Sequence, residues 1–134
     1  MRFACLALAL CLAACQKSAP PLDLFAPSVA GVWTRTALTN TPVSDAPDPV
    51  PRTAVTSLIT AAYEGPGKLE AREYTLDSDT VGTTLSQRWQ PSADTIFFSR
   101  GRYFIVVKWQ SADRQALQNF VRELQKKLPP APPL

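Results

Sequence analysis

The chain has 134 residues, 46% of them hydrophobic, and its 14 basic and 11 acidic side chains leave a formal charge of +3. That length suits one domain with a single core, and the near balance of charge gives no electrostatic case for nucleic-acid binding. There is no histidine, which excludes Ser-His and Cys-His nucleophiles and histidine-ligated zinc, and all three cysteines lie within the first fifteen residues.

Met1 and Arg2 make a short positive start, and Phe3 to Ala14 runs apolar without a charge. A membrane-spanning helix needs about 20 apolar residues, whereas the apolar region of a signal peptide needs roughly 7–15. The run ends in Leu12-Ala13-Ala14-Cys15, which resembles the lipobox of bacterial lipoproteins. The small residues pass a peptidase cleft, and the cysteine offers a nucleophilic sulfur. The resemblance implies that signal peptidase II cuts between Ala14 and Cys15 and that Cys15 carries a diacylglyceryl group, with the new amine open to acylation. Segment 1–14 is then a removed signal peptide, and the protein is anchored in the cell envelope by its lipid. The residue after the cysteine is Gln16, not Asp. The resemblance therefore implies the periplasmic face of the outer membrane in a host that has one. Cys5 and Cys11 leave with the signal and Cys15 is capped, so the fold rests on packing without disulfides.

Residues 15–28 contain Pro20, Pro21 and Pro27 and read as a stiff tether. Residues 29–51 read as a poorly ordered segment, with a short edge strand in "GVWTRTALT" that packs Trp33 and a Pro-rich loop in "NTPVSDAPDPVP". The α+β domain is expected over 52–128. Within it, "TAVTSLITAAY" (53–63) fits a strand by its β-branched residues, and also fits a helix by its spacing. "EGPG" (64–67) is a turn signal, and "KLEAREYTL" (68–76) completes a hairpin. "DSDTVGTTLSQRWQP" begins with a cap at Asp77 or Ser78 and places Val81, Leu85 and Trp89 on one helical face. "DTIFFS" (94–99) and "RYFIVVKWQ" (102–110) read as strands joined at Arg100-Gly101. The last helix is expected to be capped by Ser111, with Leu117, Phe120, Val121, Leu124 and Leu128 as its apolar stripe. "LPPAPPL" then closes the chain as a Pro-rich tail, 129–134.

The resulting order, ββαββα, predicts an α+β fold: a small antiparallel sheet of about four strands with two helices on one face. "YEG…QRW…GRYFIVVKW…L..FV..L", over residues 60–128, resembles envelope domains of unknown function, and that resemblance implies no activity. Tyr103 to Val107 is apolar on both faces, so something must cover the second face. The expected cover is the 29–39 segment with Trp33; otherwise it is a partner, a second copy or a lipid-like ligand.

Carboxylate pairs are the sequence's candidates for acid–base chemistry. Glu70 and Glu73 point to opposite faces of a strand, and Asp77 and Asp79 are explained as helix-start residues. No catalytic, cofactor-binding or metal residue is therefore assigned. The expected function is a non-enzymatic binding or assembly role in a membrane-anchored lipoprotein, with an envelope protein or a second copy as partner. Trp33, Phe104 and Val106 are the candidate partner or ligand surface. The alternative is a carrier or sensor of an apolar ligand, followed by a carboxylate-based envelope hydrolase.

Overall fold

The computed structural model describes residues 22–90 and 92–129. The signal peptide, the lipobox with Cys15, the first part of the tether and nearly all of the Pro-rich tail lie outside the described residues. Among the described residues the elements run β1 (Ser28–Val29), β2 (Trp33–Asn40), β3 (Val55–Gly65), β4 (Gly67–Leu76), α1 (Asp79–Arg88), β5 (Thr95–Arg100), β6 (Tyr103–Ala112) and α2 (Arg114–Lys127). The strands form one six-stranded antiparallel sheet in the order β1-β2-β3-β4-β6-β5, curled into a half-barrel.

This corrects the expected four-stranded ββαββα layer with two helices on one face. The sheet gains β1 and β2, and the two helices lie on opposite faces. On one face α2 sets Leu117, Phe120 and Leu124 against Trp33, Ala61, Tyr63, Leu69, Ala71, Ile105 and Val107. On the other, Leu85 of α1 and the loop residues Ala46 and Val50 cover Leu58, Tyr74, Leu76, Phe104 and Val106. The physical reason lies in β6. Tyr103, Ile105 and Val107 point one way and Phe104 and Val106 the other, and all five are buried. Two helices on one face would leave the second set bare, at a cost of about 1.5–3 kcal/mol for each large side chain left in water.

Trp33 is not the cover for that second face. It lies under α2, fully buried, and its indole N–H donates to the Ala116 carbonyl at 3.0 Å. The rest of β2 is mostly exposed and polar, because only the two-residue β1 pairs along its outer side. The sequence signal for β2 is weak for that reason.

Local chemistry explains the remaining elements. Residues 53–63, which fit strand or helix by sequence, enter β3, whose β-branched residues suit a pleated surface. β3 and β4 meet across Pro66, with Gly65 opposite Gly67. Gly67 has φ +148°, and a Cβ there would collide with the Ser111 carbonyl of β6. Gly101 (φ +57°) and Arg102 form the turn between β5 and β6, one residue later than Arg100-Gly101. Ser111 belongs to β6 and does not cap α2. Asp113 is the cap, its carboxylate accepting from the Ala116 N–H at 3.0 Å. In α1, the glycine that weakens the helix is buried: Gly82 faces the Gly101 carbonyl, where a Cβ would stand 3.2 Å away. The helix thereby sits close on the β5–β6 hairpin.

Candidate functional site

α1 is too short to cover its whole face of the sheet. It ends at Arg88, and beyond it the far ends of β3, β4, β5 and β6 are left open. The opening is a cleft of about 630 Å³. Strand alternation sets its floor: Ala62 of β3, Glu70 and Arg72 of β4, and Val106 and Lys108 of β6 share this face, with Thr95 of β5 opposite Lys108. Pro47 stands at one wall. Trp89, the C-cap of α1, stands at another.

Trp89 is held from below by aromatic packing. Its ring lies 5.3 Å from Phe104 and 6.1 Å from Phe97, and Tyr74 lies 6.1 Å from Phe104. Trp109 borders the cleft from β6, but its half-buried side chain packs against the cluster under α2. The cleft therefore offers indole surface above a rigid aromatic base. Polar groups set its lip. Asp94 accepts from the Ser92 hydroxyl at 2.9 Å and the Thr95 hydroxyl at 3.1 Å. These bonds hold its carboxyl below the usual range, with a further contribution from Lys108.

The cleft lining carries Lys68, Arg72 and Lys108 against Glu70, with the Asp94 carboxylate at the lip near Lys108. Arg72 is the best placed of the three. Its Nε donates to Glu70 Oε1 at 2.9 Å, and about a third of its side chain stays exposed (33%). Burial works against the Arg72 charge, but hydrogen bonds to Tyr74 and Glu70 outweigh it and push the guanidinium pKa above its ordinary value. Tyr74 is itself buried, which raises its own pKa despite the opposing pull of Arg72. Arg72 is thus a fixed cation with donors left over for a ligand. Lys68 pairs loosely with Glu64 at 3.6 Å. Lys108 forms no ion pair among the described residues. A group carrying a carboxylate, sulfonate or phosphate on a flat or apolar body matches this surface: the acid meets Arg72 and Lys108, and the body meets Trp89.

The residues singled out in the sequence do not converge here. Val106 lines the cleft, Phe104 lies in the core beneath it, and Trp33 is buried on the opposite face. Glu70 and Glu73 do point to opposite faces: Glu70 into the cleft and Glu73 into the core under α2. Asp77 is exposed at the mouth of α1, and Asp79 lies in its first turn. Sequence reasoning missed Arg72, Lys108 and the neighbouring Lys68. Their signal was the alternation of β4 and β6, in which one face turns from apolar (Tyr74, Leu76, Phe104, Val106) to polar (Lys68, Glu70, Arg72, Lys108, Gln110). Among the described residues no group of three or more acidic or thiol side chains is placed to hold a metal ion, and no helix is long and apolar enough to cross a membrane. No family model, curated protein or solved structure matches the chain.

Proposed function

We propose that this chain is a lipid-tethered binding protein of the cell envelope, non-enzymatic, anchored through Cys15 and taking a small organic anion in the cleft beside α1. The cleft carries the reading: a fixed guanidinium and a second cation share its floor with indole surface on its wall. The lipobox at Leu12–Cys15 supplies the address, and the Pro-rich stretch after it supplies the spacer. The runner-up, an apolar-ligand carrier, uses the same cleft with Trp89 and its aromatic base as the chief contact.

Two experiments test the two halves separately. Metabolic palmitate labelling is expected on the wild type and lost in Cys15→Ser; labelling that persists in the variant removes the anchor. For the cleft, an anionic naphthalene sulfonate dye is compared with an uncharged dye of similar size. Arg72→Gln is expected to weaken the anionic dye about tenfold, the size of one partly exposed charge-assisted hydrogen bond, and to leave the uncharged dye unchanged. Binding of both dyes left unchanged by Arg72→Gln favours the apolar carrier. No binding of either dye removes the cleft as a ligand site.

A further inference from the structure

The face under α2 holds a group that packing does not explain. Glu73 is 0% exposed, and neither carboxylate oxygen has a hydrogen-bond partner among the described residues. In the sheet it stands between Ile59 of β3 and Ile105 of β6. A charge in such a place faces a large desolvation penalty with nothing to offset it.

Part of the cover over this face is the chain just before β1. Leu24 and Phe25 are 0% and 2% exposed and belong to the apolar cluster that α2 completes. A few hydrogen bonds hold this segment to the sheet. The Arg35 guanidinium donates to the Phe25 carbonyl at 2.6 Å, the Tyr63 hydroxyl to the Ala26 carbonyl at 2.7 Å, and the Arg35 N–H to the Pro27 carbonyl at 3.0 Å. The segment has no helix or strand of its own from Leu22 to Ala26.

We propose that Glu73 is a proton-operated latch on the 22–27 segment: with the carboxyl protonated the segment lies docked on the sheet, and with the carboxylate charged it peels away and admits water.

The surrounding groups agree on the direction. Asp23, exposed and within the segment itself, is the acid whose field reaches Glu73, so its charge adds a smaller repulsion to the cost of burial once Glu73 ionises. From β6 comes the Tyr103 hydroxyl, whose pKa is raised first by burial and then by the Glu73 charge. β3 presents apolar Ile59, and the α2 residues in this cluster are Ala116, Leu117, Phe120 and Leu124. No cation among the described residues pairs with Glu73. Burial, with Asp23 adding to it, pushes the Glu73 pKa up from 4.5 to about 7.

The sign follows from which state holds the proton. The docked form keeps it up to about pH 7, while the released form, with Glu73 in water, loses it near 4.5. Docking is therefore full below about pH 4.5, weakens as pH rises through the window to about 7, and is constant above it. Between pH 6 and 8 the docking equilibrium falls about tenfold by proton linkage. The latch itself does not depend on the tether reading. Its consequence for reach does: freeing six residues would add about 20 Å of extended chain between the anchor and the domain.

The test is chymotrypsin cleavage after Phe25 in the full chain, with each rate divided by that of a synthetic 20–30 peptide at the same pH. Cleavage of a reversibly opening segment reports its open population. The wild-type ratio is expected to rise about tenfold from pH 6 to pH 8. Glu73→Gln, which keeps the shape and removes the charge, is expected to be flat, and Asp23→Asn to show a smaller rise. Cleavage at core sites such as Tyr74 and Phe120 is expected to stay slow throughout. A flat wild-type ratio overturns the latch, and so does an undiminished rise in Glu73→Gln. Core sites opening in parallel with Phe25 also overturn it, since that means global unfolding.

Discussion

Phe120 is the side chain by which α2 reaches the N-terminal strands, and its removal gives a quantitative test of the two-faced architecture. It is fully buried, edge-to-face with Trp33 at 5.9 Å and with Tyr63 at 5.0 Å. Truncating a buried phenylalanine to alanine costs about 3–5 kcal/mol, against a total stability of about 5–15 kcal/mol for a domain. In urea, where a domain of this size loses about 1–3 kcal/mol per molar, Phe120→Ala should lower the unfolding midpoint by about 2 M. Arg122→Ala, on the solvent side of the same helix, should stay within about 0.5 kcal/mol of wild type. The decisive quantity is the coupling between Phe120 and Trp33. Trp33 also loses its hydrogen bond to Ala116 when replaced, but that loss is common to the single and the double change and cancels, so the cycle uses Trp33→Leu with Phe120→Leu. An aromatic pair in contact should couple by about 0.5–1.5 kcal/mol. Additive single changes would mean that Trp33 does not lie under α2, and the placement of β2 in the sheet would fail with it.

Other perturbations read individual contacts. Gly67→Ala places a Cβ on the Ser111 carbonyl at positive φ, so it should cost at least about 1–3 kcal/mol by chemical denaturation, whereas Gly101→Ala, with open space around it, should cost less. Asp113→Ala removes the carboxylate that accepts from Ala116; a loss of about 1 kcal/mol is expected, with Asp113→Asn retaining most of the stability. Tyr63 is buried and donates to Ala26, and burial pushes its pKa up to about 12, above the usual 10. Its contribution should therefore be intact below pH 10 and lost between pH 10 and 12. Tyr63→Phe should show no such loss in that window.

How much of this was legible in the sequence depends on how each residue earns its place. β4 to α2 could be read because alternation or helical spacing recurs in each and because Gly and Pro punctuate the turns, whereas residues 53–63 fitted strand and helix alike until their pairing with β4 settled them as β3. Asp113 and Ser111 are two residues apart and both are good caps, so only the extent of β6, which absorbs Ser111, decides between them. β2 could not be read as a full strand, since its partner on one side is two residues long and its side chains stay polar. The cover supplied by Ala46 and Val50 was hidden in a Pro-rich loop, where burial has no periodicity. The alternation of Tyr103 to Val107 shows that both faces of the sheet need cover, but not which element supplies it, and that left both helices assigned to one face. The cleft was less legible than the fold. Arg72 and Lys108 come together only because Glu70 stands opposite Lys108 in the β4–β6 register, and those two strands are separated in the chain by α1 and β5.

The central claim, an anion site beside α1, can be measured directly by nuclear magnetic resonance during titration with the naphthalene sulfonate. The tryptophan indoles report on separate places: Trp89 lines the cleft, the Trp109 side chain packs against the cluster on the other face, and Trp33 is buried under α2. Binding should move the Trp89 indole, the Arg72 side-chain signal and the amides of Thr95 and Lys108, and leave the Trp33 indole still. Shifts centred on Trp33 and α2, with Trp89 and Arg72 unmoved, would contradict the account.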